Sequence, residues 1–166
     1  MAESLLDVRH LSKAEAYAML GAQLDSVCAD ERDPVALMST IACILHHGFG
    51  YLWTGFYRTD GGRRLVVGPY QGSLGCMEIA PGRGVCGTAA AERRTVIVSD
   101  VSHFPGHIAC DARARSEIVV PVLDAQGQVV AVLDIDSEVL ATFDETDARA
   151  LEALIARFAP RLAPAK

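Results

Sequence analysis

The chain has 166 residues, enough to bury a core as one domain over residues 1–166, and its 51% hydrophobic and 22% charged content is that of a globular protein. A formal net charge of −6 with no basic tract argues against nucleic acid or an anionic membrane surface as the main partner. MAESLLDVRHLSKAE lacks a signal-peptide apolar run, no stretch reaches the roughly 18 apolar residues of a membrane span, and the five cysteines are odd in number. A cytoplasmic location without a structural disulfide framework is the expectation.

Ser12 and Glu15 have capping-box spacing, and Tyr17, Leu20, Leu24, Val27 and Cys28 follow at helical intervals. Asp33 and Pro34 suit the start of a second helix, with Leu37, Ile41, Ile44 and Leu45 on one face and a stop near Gly48. YLWTGFYRT and RLVVGPYQG read as a hairpin turned at Asp60-Gly61-Gly62. GCMEIAPGRGVCGTAAAE divides into a short strand, a Gly-rich loop and a brief Ala-rich helix, and TVIVSDV is a further strand. EIVVPVL and QVVAVLDI are apolar strands joined at Asp124-Ala125-Gln126-Gly127. A last helix runs from about Thr142, carries Leu151, Leu154, Ile155 and Phe158 on one face, and ends near Pro160. Hairpin-linked strands between terminal helices predict an α+β domain, a central antiparallel sheet with helices on one face and pocket-forming loops on the other.

Cys28 and Cys43 fall on the apolar faces of the first two helices, where a cysteine serves as a small hydrophobe. Cys76, Cys86 and Cys110 lie in or beside loops, either as unrelated thiols or as one cluster. Cys86 sits at the start of the Ala-rich helix, where the macrodipole lowers a thiol's pKa. Cys110, in HIACDARARSE, is open to three readings: inert thiol, metal ligand or nucleophile. His103, His107 and Cys110 offer zinc donors, but Pro105-Gly106 breaks the helix that would align the histidines and no C-x-x-C completes the set, so no metal is expected. Gly82 to Gly87, GRGVCG, matches a dinucleotide fingerprint, yet a hairpin precedes it instead of a βαβ unit, so no nucleotide cofactor is expected.

Glu117, Asp134 and Asp136 stand at the ends of two apolar strands. Alternation puts Asp134 and Asp136 on one face, continuing that of Val130 and Val132. One such carboxylate suits a solvated strand end, whereas two beside an apolar run suit a polar pocket floor. The register of Glu117 has two readings. A two-residue loop of Ala125 and Gln126 sets Glu117 opposite Asp134 on the shared face. A type I turn with a Gly bulge sets it opposite Ile135, unless a second bulge near Pro121 restores the face.

Together, GPYQGSLGCMEIAPGRGVCGTA, FPGHIACD, SEIVVPV and VLDIDS closely resemble the free methionine-(R)-sulfoxide reductases, enzymes built on a single GAF domain. The likeness runs from about Tyr51 to the last helix. It implies that Cys110 is the nucleophile toward the sulfoxide sulfur of free methionine sulfoxide, Cys76 the principal resolving cysteine, and Cys86 a second thiol able to join disulfide exchange. It implies that Glu117, Asp134 and Asp136 surround the sulfoxide oxygen and the substrate amine, and that Trp53 and Tyr57 wall the substrate methyl group. Thioredoxin is the implied reductant, no cofactor is required, and GAF analogy implies a homodimer through the terminal helices. Ala114 departs from the CDAxSxSE pattern, removing a hydroxyl but leaving the thiols and carboxylates intact. The chemistry fits these residues: a sulfoxide oxygen leaves poorly until protonated, and clustered carboxylates hold at least one proton near neutrality. The rival reading is a GAF small-ligand or thiol-redox sensor, which binds or locks without turnover.

Overall fold

In the computed structural model, which describes residues 4–61 and 64–163, the capping box of Ser12 and Glu15 opens α1 (Lys13–Val27). Asp33 accepts from the Ala36 amide and Pro34 fills the first turn of α2 (Pro34–Phe49). This helix runs past its expected stop. Gly48 lies inside it, so close to α1 that an added Cβ would stand 2.7 Å from Leu20 Cδ1. Gly50 ends the helix instead, at a φ of 72° that favours glycine.

After α2 come β1 (Trp53–Thr59), β2 (Leu65–Gly72), β3 (Glu78–Ile79), α3 (Gly84–Glu92), β4 (Val96–Val98), β5 (Ser116–Leu123), β6 (Val129–Ser137) and α4 (Glu145–Leu162). The strands form one antiparallel sheet in the order β3-β2-β1-β6-β5-β4, the α+β arrangement that the patterning predicts. The β1–β2 turn includes Gly62, which lies outside the described residues; around it the Asp60 amide donates to the Arg64 carbonyl. Of TVIVSDV only Val96–Val98 pairs, because the Asp100 side chain accepts from the Ser102 amide and starts a 3-10 turn at Val101–His103. Asp144 caps α4, and the helix continues beyond Pro160 to Leu162. Phe158 and Leu162, both buried, hold that last turn on the core.

The sheet separates two cores. Helices α1, α2 and α4 bring Leu20, Leu24, Leu37, Ile41, Leu45, Leu154 and Phe158 onto Phe56, Ile118, Val120, Leu133 and Ile135. Cys28 belongs to this core, as expected, while Cys43 is only half-buried. On the other face, Val85, Cys86 and Ala89 of α3 pack against Trp53, Tyr57, Val119 and Val132. Among the described residues no helix is long and apolar enough to cross a membrane.

Candidate active site

Strand alternation builds the floor of the site on the α3 face. Trp53 of β1 lies opposite Asp136 of β6, which lies opposite Glu117 of β5, a row across three strands. One step along, Gly55, Asp134 and Val119 form the next row. The hairpin follows the second reading, a turn with a left-handed glycine and a further bulge that restores the face. Ala125, Gln126 and Gly127 make a three-residue loop, closed by mutual bonds of Asp124 and Gln128 and turned by Gly127 at φ 73°. A second irregularity between Val122 and Leu123, opposite Val129–Ala131, shifts the ladder once more. Glu117 therefore opposes Asp136, and all three acids share the face. The bulge also breaks the expected alternation at Val130, which joins the helix-side core while Val132 stays on the acid face.

Trp53, Tyr57, Cys86, Cys110, Glu117, Asp134 and Asp136 line one cavity of about 30 Å³, room for a water molecule or two. Cys76 reaches this cavity through a disulfide to Cys110, the two Cα atoms lying 5.3 Å apart. Cys110 is exposed and Cys76 half-buried. Two hydrogen bonds hold the cysteine loops in place: the Cys76 amide donates to the Tyr57 hydroxyl, and Ser73 Oγ donates to Asp111 Oδ2 at 2.6 Å. Arg113 and Ser73 together keep the Asp111 carboxyl well below the usual carboxylate range.

The acids are different. Burial pushes Glu117, Asp134 and Asp136 well above their ordinary values, and the charge of neighbouring carboxylates pushes each further. Burial is the larger cause, where sequence reasoning pointed only to mutual repulsion. Cys86 is a correction. It is the third residue of α3, but burial, with Asp134 and Glu117 beside it, raises its thiol well above the usual value and outweighs the helix macrodipole. The thiol donates a hydrogen bond to Asp134.

Other residues at or near the cavity have weaker sequence signals. His107 Nε2 stands 3.5 Å from Glu117 Oε2, and burial lowers the imidazole's pKa. His103 instead contacts Asp100 at 3.3 Å with its side chain exposed, so the histidines do not converge on Cys110. Tyr70 stacks behind Trp53 at 5.2 Å, which Gly55 allows because a Cβ there would meet Tyr70 Cβ at 2.3 Å. A glycine flanked by aromatics on one strand, facing an aromatic on the next, is the signal that finds it. The glycines of GRGVCG serve packing: the Gly82 amide donates to the Gly87 carbonyl, and a Cβ on Gly87 would stand 2.7 Å from the Ala80 carbonyl oxygen.

The chain matches the GAF domain family over residues 33–162. It is 42% identical over 155 residues to GAF domain-containing protein A of Dictyostelium discoideum, covering 93% of this chain and 97% of that one. It is 39% identical over 154 residues to the free methionine-R-sulfoxide reductase of Escherichia coli (strain K12), covering 92% of each. The X-ray structure of the free methionine-R-sulfoxide reductase from Neisseria meningitidis in complex with its substrate superposes with a TM-score of 0.91 at 46% identity, covering 97% of this chain and 96% of that one. The chain belongs to the free methionine-R-sulfoxide reductase family of GAF domains. Likeness to the Neisseria meningitidis free methionine-R-sulfoxide reductase extends to the N-terminal helices, beyond the motifs that begin at Tyr51.

Proposed function

We propose that this chain reduces free L-methionine (R)-S-oxide to L-methionine, with Cys110 as the nucleophile. The observation that carries this reading is an exposed cysteine, already bonded to a second thiol, set over two buried acids and a half-buried one, all with raised pKa values. Cys110 attacks the sulfoxide sulfur while a protonated Glu117 or Asp134 gives its proton to the departing oxygen. The oxygen passes to the cysteine sulfur, so one thiol and one sulfoxide become one sulfenic acid and methionine. The Cys76 thiol then condenses with the sulfenic acid, expelling water and forming the disulfide. Thioredoxin reduces it, each electron pair coming from one external dithiol in a reducing, cytoplasmic compartment.

Asp134 Oδ1 is buried with no hydrogen-bond partner among the described residues and offers an acceptor for the substrate ammonium, with Asp136 beside it. Trp53 and Tyr57 supply an apolar wall for the methyl group. Cys86 joins exchange only as the slower thiol, since its buried proton is held tightly. That α1 shares a core with α2 and α4 supports reading residues 1–166 as one domain. Met19 and Val27 on α1 and Val35 on α2 are exposed apolar residues that a homodimer would cover.

The test is a single turnover. Cys110→Ser should release no methionine from the (R)-sulfoxide. Cys76→Ser should release one equivalent and then stall. Steady consumption by Cys110→Ser would sink the assignment, and binding without any turnover by the parent protein would favour a sensor.

A further inference from the structure

With Cys76 and Cys110 bonded to each other, Cys86 is the free thiol that lines the cavity. Its Sγ, one oxygen of Glu117 and one of Asp134 lie within 4.8 Å of one another, and all three residues are buried. His107 Nε2 approaches this group at 3.5 Å from Glu117 Oε2. Among the described residues no lysine or arginine lines the cavity to balance these acids. Asp134 is 6% exposed and lines the same cavity, and its Oδ1 has no hydrogen-bond partner among the described residues. The group therefore has a spare, buried acceptor on a residue that lines a space suited to a cation.

A thiolate, two carboxylates and an imidazole are zinc donors, at bond lengths of about 2.0–2.3 Å. A tetrahedral set at those lengths spaces its donor atoms by about 3.5 Å, so Cys86, Glu117 and Asp134 need only draw together slightly, and His107 would join them from beside Glu117. The sulfur donor favours zinc or cadmium over magnesium and calcium, which take oxygen ligands. A cavity of about 30 Å³ accepts an ion although it is too small for an amino acid. We propose that Cys86, Asp134, Glu117 and His107 bind one divalent ion of the zinc class, and that the bound ion excludes the substrate from the acids. The ion replaces the protons of the thiol and the two carboxyls, so binding releases protons and tightens as pH rises. Only the exclusion of substrate rests on the reductase reading.

The disulfide form isolates the site, because Cys76 and Cys110 cannot ligate. Titrating that form with cadmium should develop thiolate-to-metal charge-transfer absorbance that saturates at one ion per chain. Cys86→Ser, which keeps Cys28 and Cys43, should lose the band. Asp134→Asn should weaken the apparent affinity at least tenfold. No band in the parent protein, or an equal band in Cys86→Ser, overturns the proposal. Should Cys86→Ser fail to fold, unchanged affinity in Asp134→Asn overturns it equally. In the reduced enzyme, zinc should raise KM for methionine (R)-sulfoxide without lowering kcat, and a chelator should reverse this. Cadmium binding without such competition would keep the ion site and overturn instead the placing of substrate at these acids.

Discussion

Burial makes the Glu117 carboxyl keep its proton to a higher pH than an exposed glutamate would. Its folded pKa lies above the ordinary 4.5 because burial disfavours the charge and Asp136 repels it. The stability tied to the protonated form is complete below that ordinary value and is lost as pH rises through the raised folded one. Glu117→Gln fixes the neutral state. It should raise the melting temperature at pH 8, change it little at pH 4, and lower kcat/KM by roughly 10²-fold, the scale of losing a general acid. Thermal melts at both pH values beside a turnover assay check this; a lower melting temperature at pH 8 would mean that Glu117 is ionised and paired. Pairing Asp134 with Asp136 needed only strand alternation, and the family motifs singled out the cysteines. The state of Cys86 was not legible, because helix position argues for a lowered pKa and only burial against Asp134 reverses it. The approach of His107 to Glu117 escaped for a similar reason: a loop residue's neighbours are not encoded in spacing.

At the scale of elements, the loop between β2 and β3 carries Cys76 with Leu74 and Met77 on either side, 83% and 74% exposed. Large apolar side chains so exposed beside a reducible bond suit the docking of a protein reductant. Met77→Ser should raise KM for thioredoxin severalfold while leaving turnover driven by dithiothreitol unchanged. An equal effect on both reductants would show that Met77 supports the loop instead. The elements themselves were largely readable, since capping boxes, proline and turn glycines punctuate the chain. Their ends were less so. Gly48 reads as a stop but is a packing residue under Leu20, and Pro160 fails to end α4 because the core holds the turn beyond it.

The molecule as a whole places its three-helix core on one face of its sheet and the acid-lined cavity on the other. With the disulfide closed, the cavity of about 30 Å³ is far below the roughly 300 Å³ at which small-molecule pockets begin. Calorimetric titration should find that the Cys110→Ser protein binds methionine sulfoxide and the disulfide form does not; equal binding by both would mean that the loops need not part for entry. The irregularity at Val130 bears on how this architecture tolerates change in chain length. It takes up the one residue by which the three-residue tip would otherwise put the two strand patterns out of phase. Deleting Val130 should leave Glu117 opposite Asp136 and activity near the parent's. Deleting Ile135 makes Asp134 and Asp136 adjacent, forces them to opposite faces, and should abolish activity. Single-residue length differences among relatives are therefore expected to gather at the tip of this hairpin, where the fold can spend them without disturbing its acids.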